Sequence, residues 1–192
     1  MADRFYELEV AGVTRRLPVL NVSDTLAIAA FIMLGDVELT EACAREMAKN
    51  VPAETEVILT AETKGIPFAA SLAREIGHDY YVVARKSVKA YMEQPIWVED
   101  VSITTQGVQT LCLNKPDIRR IKEHKVLILD DVISTGGSMK ALCELVEIAG
   151  GTVVGQAAVL AEGDAVKRKD IIYLAELPLF KASGEAGAAP RD

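Results

Sequence analysis

The stretch Val126 to Ala141 holds the densest chemistry in the chain. Four apolar residues run into two adjacent carboxylates, Asp130 and Asp131, and then into Val132, Ile133, Ser134, Thr135, Gly136, Gly137 and Ser138. Gly136 and Gly137 let the backbone approach a ligand closely. The first N–H groups of a helix opening near Ser138 point outward with a partial positive charge, which suits phosphate. Ser134, Thr135 and Ser138 add hydroxyl donors. No Lys follows Gly137, so the loop departs from the GxxxxGK[ST] pattern of nucleoside-triphosphate sites and suits a terminal phosphomonoester. Two carboxylates beside such a site would repel the phosphate. They must therefore face sugar hydroxyls, a metal shell or a developing cation. The plain alternative is that Asp131 is an ordinary acid at a helix N-terminus.

These residues need an apolar strand before them and a helix after them, and the chain supplies that alternation throughout. Expected strands are Val57–Thr60, Tyr80–Ala84, Lys125–Leu129, Thr152–Leu160 and Ile171–Leu174; expected helices are Val37–Asn50, Pro67–Ile76 and Ser138–Ala149. Short apolar strands alternating with helices predict βαβ units and a parallel sheet covered on both faces. Ligands of such sheets bind beyond the carboxyl ends of the strands, which directs attention to the turns after Thr60, Ala84, Leu129 and Leu160. A hairpin is expected from Tyr6–Val10 and Val13–Leu17, and another from Val101–Thr104 and Val108–Leu113 around Thr105–Gly107. Lys86–Glu99 reads as a long polar loop broken by Pro95. The division expected is an N-terminal hood over 1–36, a core over 37–181 and a tail over 182–192 rich in Ala and Gly.

The chain has 192 residues, half of them hydrophobic, with 21 Lys+Arg against 28 Asp+Glu and a net charge of −7. That composition excludes a disordered chain and, by its sign, argues against non-specific nucleic-acid binding. Cys43, Cys112 and Cys143 form no CxxC pair and read as free thiols of a reducing compartment. With His78 and His124 they leave little for a zinc site. The residues after Met1 show no signal peptide. The longest uncharged apolar stretch, Thr25–Gly35, falls short of the roughly 20 residues that span a bilayer. A cytoplasmic protein with no membrane and no nucleic-acid partner is expected.

The segment Val126–Ser138 resembles, over about thirteen contiguous positions, the 5-phosphoribosyl-1-pyrophosphate (PRPP) motif of the type I phosphoribosyltransferases. The resemblance implies that family's α/β fold, an open, mainly parallel twisted sheet flanked by helices, with a small hood and a mobile loop. It implies that Asp130 and Asp131 address the ribose hydroxyls and that Ser134, Thr135, Gly136, Gly137 and Ser138 cradle the 5′-phosphate. Glu62–Thr63–Lys64–Gly65 is similar to the family's pyrophosphate loop, with Lys64 where adenine enzymes carry Arg, keeping the charge but losing the bidentate fork. An ordinary solvated turn is the alternative there.

Arg85 and Lys86 are similar to paired basic residues that reach the pyrophosphate, and Lys89 stands near them. Ser87–Gln106 resembles the mobile loop over the site, in which Trp97 would stack on a base or anchor the loop. Leu17–Ile32 would contact the base or serve as an edge hairpin. The implied catalytic set is Asp130, Asp131, Lys64 and Arg85. Mg²⁺ is the implied cofactor, held by Asp130 and Asp131 through water. PRPP and a purine base are the implied substrates, adenine first and xanthine or another oxopurine second, and a homodimer is the implied assembly. One departure stands out. Adenine enzymes carry a Glu-Tyr pair in the mobile loop, and here Ile103–Gly107 has no carboxylate. A non-catalytic PRPP-binding regulator is therefore the rival reading.

Overall fold

A computed structural model describes residues 4–100 and 109–182. Eleven strands and four α-helices follow in the order β1 (Phe5–Val10), β2 (Val13–Asn21), β3 (Leu26–Ala29), α1 (Val37–Met47), β4 (Val57–Ala61), α2 (Gly65–Glu75), β5 (Val82–Ala84), β6 (Ile96–Asp100), β7 (Gln109–Leu113), α3 (Lys115–Ile121), β8 (Lys125–Ile133), α4 (Gly137–Ala149), β9 (Thr152–Glu162), β10 (Ile172–Leu177) and β11 (Leu179–Lys181). A 3-10 turn, Gly163–Lys167, joins β9 to β10.

The centre is a five-stranded parallel sheet in the order β10-β9-β8-β4-β5. Every residue of β4 is buried, as a parallel strand covered on both faces requires. One face packs a core containing Leu39, Met47, Phe68 and Leu72 of α1 and α2. The other packs Met139, Leu142, Leu145 and Val146 of α4 together with Ile121 of α3. The expected open α/β architecture is the one observed.

Local chemistry sets the helix ends. Asp36 caps α1 by accepting the Leu39 N–H at 3.1 Å, while Arg15 of β2 holds the same carboxylate at 2.6 Å. Asn114 accepts the Lys115 N–H at 2.8 Å at the start of α3, and Pro116 occupies its first turn. Gly150 closes α4 in the left-handed conformation.

A second sheet runs β1-β2-β3-β11. Its last strand comes from the far end of the chain: β11 pairs antiparallel with β3, Phe180 opposite Ala27. This sheet is thus built from both ends of the described chain. Strand β11 carries too few residues to show a period, and it was not expected.

Three other expectations are corrected. Lys86–Glu99 is not loop throughout, because Ile96–Asp100 forms β6 against β7, with Trp97 opposite Cys112. The described first arm of that hairpin, Ile96–Asp100, falls within the expected mobile loop. Alternation in Ile96, Val98 and their neighbours carries the strand, and Pro95 marks its start rather than breaking it. The expected arm Val101–Thr104, its turn and the Ile103–Gly107 segment lie outside the described residues, as does the tail from 183 onward. Helix α3 was not expected, since seven residues are too few for a clear apolar stripe. Strand β8 continues through the acid pair to Ile133, where the expectation ended it at Leu129; pairing of Asp130 with Ala158 and Ile133 with Ala161 of β9 carries it on.

Candidate active site

Register brings three strand ends together. Thr60 lies opposite Leu129, so the loop after β4 sits beside Asp130 and Asp131. Ile133 lies opposite Ala161, so the end of β9 flanks the start of the Ser134–Gly136 turn. A cavity of about 500 Å³ opens over these ends. Its lining includes Glu62, Thr63, Lys64, Lys86, Asp130, Asp131 and all five loop residues Ser134, Thr135, Gly136, Gly137 and Ser138. The exit of β3, Ile28–Ile32, closes it from the hood side.

Asp131 is only 3% exposed, and its Oδ2 lies 2.6 Å from Lys64 Nζ. Its backbone N–H donates to Asp130 Oδ1 at 2.9 Å. Burial, and then the neighbouring charge of Asp131, push the Asp130 carboxyl well above its ordinary range. Two acids held this close in a half-dry cleft are a store of electrostatic strain that a bound hydroxyl or cation would relieve.

The loop after β4 is fitted to that pair. A Cβ at Gly65 would collide with Thr60 Oγ1 and lie 3.5 Å from Asp130 Oδ1, so only glycine lets α2 begin against β8. The Glu62–Thr63 peptide is cis. Glu62 accepts the Lys86 N–H at 2.9 Å and pairs with Arg85 at 3.3 Å. The Lys86 N–H first, and the Arg85 guanidinium with it, hold the Glu62 carboxyl below its usual value.

Gly65, Arg85 and Lys89 are the three expected ligands that do not line the cavity; Gly65 is buried at the start of α2 against Thr60. Arg85 is drawn aside by Glu62 and by Tyr91, 3.4 Å away, and lines a neighbouring hollow of about 340 Å³. Its backbone exchanges hydrogen bonds with Cys112 of β7 at 2.9 and 2.8 Å, which ties the hairpin to the end of β5. Lys89 Nζ donates to Ser87 Oγ at 2.6 Å.

At the phosphate-loop end, Gly136 takes φ 82° and precedes α4, whose N-terminus has no side-chain cap and no acid in its first turn. That leaves the helix end open toward an anion. Behind the loop stands Arg168, whose Nη1 lies 2.8 Å from where a Gly136 Cβ would be. Asp170 grips that guanidinium at 2.9 and 2.6 Å. Sequence reasoning missed Arg168, because nothing in its spacing links it to the loop. It also missed Glu162 and Leu177, which line the cavity, although the turn after Leu160 is where the strand-end rule points.

The cleft can hold a phosphorylated sugar: an uncapped helix end for phosphate, an acid pair for hydroxyls, a cation for a second anion and an apolar wall for a flat ring. The chain is 34% identical over 111 residues to an adenine phosphoribosyltransferase of Kosmotoga olearia, covering 58% of this chain and 61% of that protein. It is 32% identical over 122 residues to a hypoxanthine/guanine phosphoribosyltransferase of Methanocella paludicola, covering 63% of this chain and 59% of that one. The chain therefore spans about three fifths of the length of these curated relatives. Among solved structures, the adenine phosphoribosyltransferase of Thermoanaerobacter pseudethanolicus superposes with a TM-score of 0.63 at 26% identity, over 75% of this chain and 84% of that chain. A family model described as phosphoribosyl transferase domain matches residues 36–177, and the chain belongs to that family.

Proposed function

We propose that this chain transfers the 5-phosphoribosyl group of PRPP to a purine base, adenine favoured, and releases pyrophosphate. The observation that carries the reading is the meeting of the Asp130–Asp131 pair, the Ser134–Ser138 loop and Lys64 around one cavity. In the reaction the bond from ribose C1 to the pyrophosphate oxygen breaks and a bond from C1 to a purine ring nitrogen forms. The transition state has the character of an oxocarbenium ion, as in glycoside chemistry. The loop anchors the 5′-phosphate, and Asp130 and Asp131 hold the ribose hydroxyls beneath the electron-poor carbon. Lys64 and Lys86 receive the charge of the departing anion, with Arg85 swinging in from Glu62. The wall formed by Ile28–Ile32 covers the base, which supports residues 1–36 as a hood over the 37–181 core, β11 of that core completing the hood's sheet, with 182–192 as a tail.

Mg²⁺ fits this donor set as a guest of the substrate. Asp130 and Asp131 are hard oxygen donors that would hold it through water, and no group of three metal-binding side chains occurs among the described residues. When bound, the ion would neutralise charge on the phosphates. The reading places the chain in the cytoplasm, a reducing compartment that its three free thiols fit. No helix among the described residues is long and apolar enough to cross a membrane. A homodimer belongs to the same proposal, supported by exposed Ile32 and Val37 beside the hood, 63% and 67% accessible.

An oxopurine as the acceptor is the second reading, favoured by the 32% identity to the Methanocella protein. The test is pyrophosphate release from PRPP and Mg²⁺ with each purine in turn. Release with adenine supports the first reading, and release with hypoxanthine, guanine or xanthine the second. Tight PRPP binding without release would make the chain a PRPP-binding regulator and overturn both.

A further inference from the structure

The PRPP assignment absorbs every ionisable side chain described in the cavity lining but one. Glu62, Lys64, Lys86, Asp130 and Asp131 belong to the sugar and its anions, and Glu162 is left over. It is the last residue of β9, held by pairing with Leu177 of β10. Gly163 follows it at φ 59°, with Leu179 packed where a Cβ would stand, so the chain turns sharply and Glu162 stays at the rim. Leu179 belongs to β11, which pairs with β3, and the exit of β3 supplies Phe31 and Ile32 to the cavity. One frame therefore fixes the carboxylate and the apolar wall relative to each other.

The surroundings of Glu162 divide by polarity. Ile133, Phe31, Ile32 and Leu177 make the wall apolar and suited to a planar ring. The Glu162 side chain has no hydrogen-bond or ion-pair partner among the described residues. Burial raises its carboxyl above the ordinary glutamate value, and the Lys64 charge lowers it in part. A half-buried acceptor without a donor is costly unless a ligand supplies one.

Resting on the transferase reading, we propose that Glu162 is the base-selecting residue, accepting a hydrogen bond from the exocyclic amino group of a 6-aminopurine. An ionised carboxylate offers only acceptors. It gains from the N–H donors of an amino group and is repelled by the carbonyl oxygen of a 6-oxopurine. The selectivity thus arises as much from exclusion as from attraction.

The test is steady-state kinetics of the full chain with adenine and hypoxanthine, for wild type, Glu162→Gln and Glu162→Leu, with thermal melting to confirm folding. The glutamine amide can donate to a 6-oxo group and accept from a 6-amino group. The expected result for Glu162→Gln is a fall of at least tenfold in the adenine-to-hypoxanthine ratio of kcat/KM, with KM for PRPP within twofold of wild type. Glu162→Leu should lose at least tenfold in kcat/KM for adenine without gaining hypoxanthine. An unchanged base ratio in both folded variants overturns the inference. So does a shift in KM for PRPP with the base ratio constant, which would put Glu162 at the sugar or metal end. A wild type that prefers hypoxanthine overturns it too, while leaving phosphoribosyl transfer intact. Failure to release pyrophosphate with any base removes the transferase reading itself.

Discussion

Lys64 holds Asp131 across 2.6 Å, and in the transfer proposed that contact loosens before the ammonium meets the departing anion. The ion pair compensates Asp131, which costs less than leaving a buried carboxylate bare. Asp130 accepts the Asp131 N–H, and burial together with the Asp131 charge raises its proton affinity. Replacing both acids with Asn should abolish transfer and leave the fold intact; wild-type turnover in the double variant would end the carboxylate role. Asp130→Asn alone should raise thermal stability at neutral pH by about 1 kcal/mol, since the cost of holding an acid where burial disfavours its ionised form disappears while the accepting oxygen stays. A lower melting temperature would contradict that. Gly136→Val should weaken PRPP binding at least tenfold, measured by calorimetry. The reason lies in the backbone: φ 82° is closed to valine, and its Cβ would strike Arg168.

Strand and helix ends, more than strand and helix bodies, carry this protein's function, and the capping of α1 shows how an end is held. Asp36 serves two partners at once, the Leu39 N–H and Arg15. Asp36→Ala should cost about 1 kcal/mol through the lost cap, read from urea unfolding. Asp36→Asn keeps the cap and removes the charge. The bond to Arg15, first among the causes, depresses the Asp36 pKa in the fold. Its electrostatic contribution is therefore present above the unfolded value of about 3.9 and is lost as pH falls through the folded one. The stability gap between wild type and Asp36→Asn should close on acidification below about pH 4; a gap that persists there would not be electrostatic. The hairpin of β6 and β7 shows the other side of the same rule. Its pairing with Arg85 through Cys112 was invisible in the chain, because a bridge between residues 85 and 112 leaves no local pattern.

Across the whole molecule, the sheet of β1, β2 and β3 is fastened to the parallel sheet by the last described strand. Phe180 stacks at a tilt on Tyr6, ring centres 5.6 Å apart, with Arg4 over its face at 5.5 Å. Phe180→Ala should destabilise by about 2 kcal/mol. It should also raise KM for the base more than KM for PRPP, because the wall at Ile28–Ile32 depends on β3 and β3 depends on β11. Equal changes in both constants would show that the hood does not act on the base.

The strand, acid pair and Gly-rich helix start of β8 and α4 could be read directly, since they are contiguous; the roles proposed for their residues rest on the family resemblance. The parallel sheet was legible for the same reason: runs such as Val57–Thr60 and Val126–Leu129 are apolar on both faces only when both faces are covered. Short pieces with no period, α3 and β11, were not legible. Nor was anything set by contacts between residues far apart in the chain: the diversion of Arg85 by Glu62, the guanidinium of Arg168 behind Gly136, and the arrival of Glu162 opposite the hood. Sequence alone determined which groups could grip a sugar phosphate, because neighbouring residues fix one another's geometry. Tertiary structure alone decided which charges face the cavity, because sheet register and the return of the chain end assemble that cavity across more than a hundred residues.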